Sequence, residues 1–141
     1  MGGKRLTKIR KYALNLYYMH LQNGELLETI VDSLVKYNGF NKEILLESLG
    51  LLKKAIEKTV FLDELISKYL KQGWDLNRLP MVDLLILRLA IFELFESNDP
   101  IKVIDDYVTL ANKYSEQNSP GYINGILEKI KNDFGLHTKN G

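Results

Sequence analysis

Apolar residues recur along the chain at helical spacing, and no stretch alternates in the manner of a β-strand. The pattern predicts a first helix from about Lys4 to Gln22, with Leu6, Ile9, Ala13, Leu16 and His20 on one face and Asn23-Gly24 ending it. A second runs from about Glu25 to Lys36 on Leu27, Ile30, Val31, Leu34 and Val35, until Asn38-Gly39 breaks it. The third, about Lys42 to Lys58, carries Leu45, Leu49, Leu52 and Ile56. The fourth turns Leu62, Leu65, Ile66, Tyr69 and Leu70 inward before Gly73 and Trp74. The fifth starts at Pro80, where a missing N–H does no harm. It is apolar nearly all round from Met81 to Phe95, the mark of a helix enclosed by others. Asn98-Asp99-Pro100 reads as a turn, followed by helices from about Ile104 to Tyr114 and Ser119 to Asp133.

The expected architecture is therefore all-α, a compact single-domain bundle of about seven helices over residues 1–134, with a flexible polar tail at 135–141. A chain of 141 residues is long enough to bury a core of this kind. The apolar stretch Leu79–Phe95 carries Pro80, Asp83, Arg88 and Glu93, which would be costly in lipid, so it reads as a buried helix and not a membrane span. The start MGGKRLTKIRK lacks the apolar segment of a secretory signal. The absence of cysteine excludes a disulfide scaffold and any thiolate site, and fits a reducing, cytoplasmic setting.

Charge distribution changes this picture more than net charge does. No acid precedes Glu25, while Lys4, Arg5, Lys8, Arg10 and Lys11 all do, so the first 24 residues carry +5 in a chain whose total is +1. Lys4, Lys8, Lys11 and Asn15 fall on one helical stripe flanked by Arg5 and Arg10, opposite the apolar stripe. Such a patch can displace counterions from a phosphate backbone. A solvated face that binds nothing is the plainer reading of the same residues. Catalytic groupings are missing: His20 and His137 are the only histidines, and neither a phosphate-binding glycine loop nor a metal-ligand pair is present. No cofactor is expected. Asp83 and Arg88, five apart, cannot pair well on one helix, and a structural role for Asp83 near the helix start outweighs a catalytic one. Asp105-Asp106, at the expected start of the sixth helix, is explained by the helix dipole. Gly125 costs its helix roughly 1 kcal/mol relative to alanine, so close approach of a neighbouring helix is expected there, with Asn124 bonded to nearby backbone.

Several segments together carry a family resemblance. They are Arg10–Tyr18 (RKYALNLYY), the tripeptide Phe61-Leu62-Asp63, Gly73–Leu94 (GWDLNRLPMVDLLILRLAIFEL), Val103–Tyr114 (VIDDYVTLANKY) and Ser119–Ile130 (SPGYINGILEKI). Trp74, the Arg78-Leu79 step, Asp83, the Leu-Arg-Leu-Ala run, Phe92-Glu93-Leu94, Ala-x-Lys-Tyr and the aromatic-aliphatic-Asn-Gly motif occur in the order and spacing of the N-utilization substance B (NusB) antitermination family. The chain departs from that pattern at Leu84 and Gly121, where basic residues are usual, and between Pro100 and Ile104, which is about one residue shorter.

The resemblance implies an all-helical, non-enzymatic RNA-binding protein, a monomer or a homodimer. It would bind the boxA element of nascent ribosomal-operon RNA with ribosomal protein S10 (NusE) and act on the RNA polymerase elongation complex. The alternative it implies is an accessory module akin to the N-terminal domain of ribosomal-RNA cytosine methyltransferases. That enzyme needs a further domain and a catalytic cysteine, and the chain has no cysteine. The RNA-binding candidates are then Lys4, Arg5, Lys8, Arg10 and Lys11, with Tyr18 and Tyr122 as rings on which bases stack and Tyr17 behind them. For a basic partner, Glu93, Glu96, Asp105 and Asp106 offer negative charge.

Overall fold

The computed structural model describes residues 2–137, in which seven α-helices and one short 3₁₀ turn account for all regular structure. The helices are α1 (Gly2–Asn23), α2 (Leu27–Asn38), α3 (Lys42–Glu57), α4 (Thr59–Tyr69), α5 (Met81–Glu96), α6 (Pro100–Tyr114) and α7 (Ser119–Asp133), with the 3₁₀ turn at Leu76–Arg78. The chain divides between Glu57 and Lys58 into two compact units, so the seven helices group as three and four. No linker announces this division, because Lys58 alone separates α3 from α4.

In the first unit α1 packs on α2 and α3, and α2 on α3. The side chains of Ile9, Ala13, Leu16 and Tyr17 are buried on α1, Ile30, Val31 and Leu34 on α2, and Leu45, Leu49 and Leu52 on α3. Glycine ends the first two helices as expected. Gly24 (φ +70°) and Gly39 (φ +69°) sit in the left-handed region, which costs a residue without Cβ least. Asn41 opens α3, its side-chain oxygen accepting the Ile44 N–H at 3.0 Å.

The second unit is built around α5, which packs on α4, α6 and α7. Leu85, Ile86, Leu87, Leu89, Ala90, Ile91 and Leu94 are all inaccessible or nearly so, which fits the all-round apolar pattern. Charged residues along its length are answered from other helices. Arg88 forms a two-pronged pair with Asp63 of α4, Nε to Oδ1 and Nη2 to Oδ2 both at 2.8 Å. Glu93 accepts the Tyr107 hydroxyl of α6 at 2.5 Å.

Four details depart from the sequence reading. First, α6 begins at Pro100 and not near Ile104. Pro100 takes the first helical turn, and Asp99 caps it by accepting the Lys102 N–H at 3.2 Å, so residues that read as a turn are a helix start. Asp105 and Asp106 therefore lie in the second turn, too far in for the dipole account, and Asp106 instead pairs with Lys102 at 3.0 Å. Second, Gly125 is exposed, and a Cβ there would meet nothing within 4 Å, so no close helix approach explains it. Third, the Asn124 side chain is exposed and holds no hydrogen bond among the described residues. Fourth, Gly135 and Leu136 return their N–H groups to Asn132 and Lys131 at 3.2 and 2.8 Å, a helix closure where a frayed tail was expected. The rest of that expected tail, residues 138–141, lies outside the described residues.

The Arg88–Asp63 pair is mostly shielded, with side-chain exposures of 15% and 23%. Asp63→Ala removes the carboxylate from a mostly shielded guanidinium and is expected to cost about 2–4 kcal/mol. Adding Arg88→Met to that variant should return a large part of the loss. Urea unfolding of the two variants and the parent checks this, and a double variant no more stable than Asp63→Ala would contradict it.

Candidate nucleic-acid interface

On α1 the helical phase separates cations that stand together in the sequence. Lys4, Arg5 and Lys8 are exposed and Lys11 is half-buried, whereas Arg10 is only 2% exposed. Arg10 stands two residues from Lys8, roughly 200° around the helix, on the side of Ile9, Ala13 and Tyr17. Its expected place on the outer patch is therefore corrected: it is part of the buried face. Arg5 is exposed but engaged, its Nη2 lying 2.7 Å from Glu47 and 3.5 Å from Glu43 at the start of α3. The cations turned outward with no carboxylate partner among the described residues are Lys4, Lys8 and Lys11.

The tyrosines also separate. Tyr17 is 3% exposed and belongs to the core, while Tyr18 is 36% exposed, its hydroxyl accepting from Gln22 Nε2 at 2.7 Å. A ring so placed presents a face to solvent. Two further rings of this unit were absent from the sequence reading: Tyr12 and Phe40 stack at 4.7 Å between centroids, with Lys8 Nζ 6.0 Å from the Tyr12 centroid. Tyr12 follows Lys8 by four residues, so helical spacing could have found it; its pairing with Phe40 could not be read from the chain.

In the second unit, Tyr122 of α7 is half-buried and its hydroxyl donates to Asp83 of α5. Asp83 is fully buried. It also accepts from Ser119 at 2.7 Å and from Ser115, and the two serine hydroxyls lie 3.0 Å apart. The carboxylate thus ties the start of α5 to the end of α6 and the first turns of α7. Its partners are the hydroxyls of Ser115, Ser119 and Tyr122, which gives Asp83 the structural role expected of it. Burial, and then the hydrogen bond to Asp83, push the Tyr122 phenol above its ordinary value. Ser115 and Ser119 carried no sequence signal beyond their position at helix ends.

The four acids expected to face a basic partner do not act alike. Glu93 is 9% exposed and bonded to Tyr107, and Asp106 is 6% exposed and paired with Lys102, so both are withdrawn from the surface. Glu96 and Asp105 remain exposed. Elsewhere, an open hollow of about 550 Å³ is lined by Leu65, Lys68, Tyr69, Leu70, Lys129, Asp133 and Phe134. Its titratable pair is self-satisfied: Tyr69 donates to Asp133 at 2.8 Å, and that bond raises the phenol's pKa. Among the described residues no three His, Cys, Asp or Glu side chains gather in a way that could hold a metal. No helix among them is long and apolar enough to cross a membrane.

Comparison with known proteins places this geometry. The sequence signature of the NusB family matches residues 7–132. The transcription antitermination protein NusB of Elusimicrobium minutum is 43% identical over 143 aligned positions, covering 94% of this chain and 96% of the relative. Among solved structures, NusB of T. maritima superposes with a TM-score of 0.75 at 32% identity, covering 94% of this chain and 92% of the other. A crystal structure of the antitermination factors NusB and NusE in complex with double-stranded RNA gives 0.79 at 26% identity, covering 92% and 98%.

Tyr122→Phe keeps the ring but leaves Asp83 one donor short, with an expected loss of about 1–2 kcal/mol. The sign of its pH dependence follows from the raised phenol. Below pH ~10, the ordinary tyrosine value, the contribution of the neutral hydroxyl is fully present; above it, ionisation favours the unfolded chain and the contribution is lost. Urea midpoints from pH 8 to 11 should therefore fall more steeply for the parent than for Tyr122→Phe. Parallel curves would show that the hydroxyl contributes nothing through its protonation.

Proposed function

Because the chain belongs to the NusB family, we propose that it is a transcription antitermination factor that binds boxA-type RNA of nascent ribosomal-operon transcripts. It does so as a single strand and together with NusE, and the assembly acts on the RNA polymerase elongation complex. The observation that carries this reading is the outward, acid-free face of α1, where Lys4, Lys8 and Lys11 stand without carboxylate partners above a buried apolar stripe. A helix anchored in this way holds its cations at fixed spacing, so binding phosphates costs little ordering of the protein. Relatives bearing the antitermination name, and a fold neighbour solved with NusE and RNA, support the same assignment.

That neighbour's RNA is double-stranded. The preference for a single strand rests instead on the rings. Tyr18 has an exposed face and Tyr122 a partly exposed one, and unstacked bases are the groups that such faces bind. Three outward lysines neutralise only a short length of backbone, so affinity from this chain alone is modest. A second basic protein alongside extends the binding surface and raises the effective concentration of both at the RNA. Glu96 and Asp105, the exposed members of the acidic set, are the groups this reading offers to that partner.

Changing Lys4, Lys8 and Lys11 together to Gln should weaken binding of a boxA-type single strand. The slope of log affinity against log salt should also fall by roughly 0.7 for each phosphate that is no longer neutralised. Fluorescence anisotropy across a salt series measures both, with circular dichroism reporting the fold. An unchanged slope would exclude the α1 face. Titrations with and without NusE, and with a duplex of the same sequence, test the rest: equal affinity in all cases would leave neither cooperativity nor strand preference standing.

A further inference from the structure

We infer that Tyr12 and Phe40 form a stacking platform for one base of the single-stranded RNA whose phosphates run along Lys4, Lys8 and Lys11. The inference rests on the RNA-binding reading of α1 and adds a base-contacting site to it.

The pair has the features such a site needs. Both rings are half-buried, so each is held in place by its neighbours while part of it remains accessible. They lie 4.7 Å apart between centroids with a tilt of 37°, within the range of favourable aromatic packing. Tyr12 shares the basic stripe, four residues after Lys8 and one after Lys11, and the Lys8 ammonium lies 6.0 Å from its ring centre. At that separation the cation–π attraction is at its outer limit, so the lysine can turn to a phosphate at small cost. The Tyr12 hydroxyl has no hydrogen-bond partner among the described residues and is available to a base edge or a 2′-hydroxyl.

Phe40 is held from both sides. Gly39 before it closes α2 in the left-handed conformation, and Asn41 after it caps α3. The platform is thus preorganised, which lowers the ordering cost of binding. The carboxylates nearest in sequence, Glu43 and Glu47, are occupied by Arg5, which softens their repulsion of an incoming phosphate. Aromatic rings set among unpartnered lysines match an unpaired nucleotide, which presents a flat π-face beside a negative charge. An acidic protein segment would satisfy the lysines and leave the rings unused.

The test uses the full chain and a boxA-type single-stranded RNA. Tyr12→Leu and Phe40→Leu keep apolar bulk and lose the π-face; each should weaken binding about 5- to 100-fold, the range of one missing base stack, with the salt slope unchanged. Tyr12→Phe should recover most of the Tyr12→Leu loss. Independently of any variant, the Tyr12 ring proton resonances of the parent protein should move upfield on addition of the RNA. If the parent binds the RNA but both leucine variants bind equally well, or the ring signals stay in place, the platform is wrong and the function stands. If the parent binds no such RNA with or without NusE, the functional reading fails first. Ring shifts caused by a polyglutamate peptide and not by RNA would also overturn the proposal.

Discussion

A carboxylate or guanidinium withdrawn from water costs several kcal/mol unless a partner meets it, and α5 places three such groups in a helix with almost no face left for solvent. Asp83, Arg88 and Glu93 are spaced so that each points to a different neighbour: the α6–α7 junction, α4 and α6 respectively. The apolar residues between them set how tightly the second unit closes. The charged ones set which way round it closes, because a rotated or shifted α5 would leave at least one of them unpaired. Tyr107, Asp63, Ser119 and Tyr122 are what they are because of that demand. The absence of buried side-chain polar atoms without a partner among the described residues is its outcome.

The first unit works under a looser version of the same rule. Its single long helix α1 must be apolar on one side to hold α2 and α3, which leaves the other side free to carry charge. The cations then sort by phase alone. Lys4, Lys8 and Lys11 fall outward, Arg10 falls inward, and Arg5 lies at the edge where the carboxylates of α3 reach it. What looks in the sequence like a block of five charges is, on the folded helix, three available ones.

That difference marks what could be read from the chain and what could not. Helix identity was legible wherever local chemistry decides it: Gly24 and Gly39 end helices as their backbone freedom implies, and α7 spans the residues its apolar spacing predicts. The start of α6 was misplaced because Asp99-Pro100 suits a turn as well as a helix cap, and only the Lys102 N–H bonded to Asp99 decides between them. Exposure of acids and bases was the weakest part. Glu93 and Asp106 resemble surface carboxylates in composition, yet a tyrosine fourteen residues away and a lysine one turn back remove them from the surface. The Tyr12–Phe40 pair joins residues from a helix and a loop, and nothing periodic in the sequence announces it. Local rules located the elements, while partners distant in sequence decided which side chains remain available for binding.

The Asp83 cluster has a consequence for how this protein can change over generations. Four positions, on two helices and in the turn that leads into the second, share one buried carboxylate, so a substitution at any one of them leaves the remaining three mismatched. Leucine at 83 would face three hydroxyls that have lost their shared acceptor; alanine at 119 would leave the carboxylate short of a donor. Joint replacement of the whole set by apolar groups of similar shape carries little such penalty. Positions 83, 115, 119 and 122 are therefore expected to drift as a group or not at all, so that related sequences divide into those keeping the acid with its hydroxyls and those that have exchanged the set, with few intermediates between them.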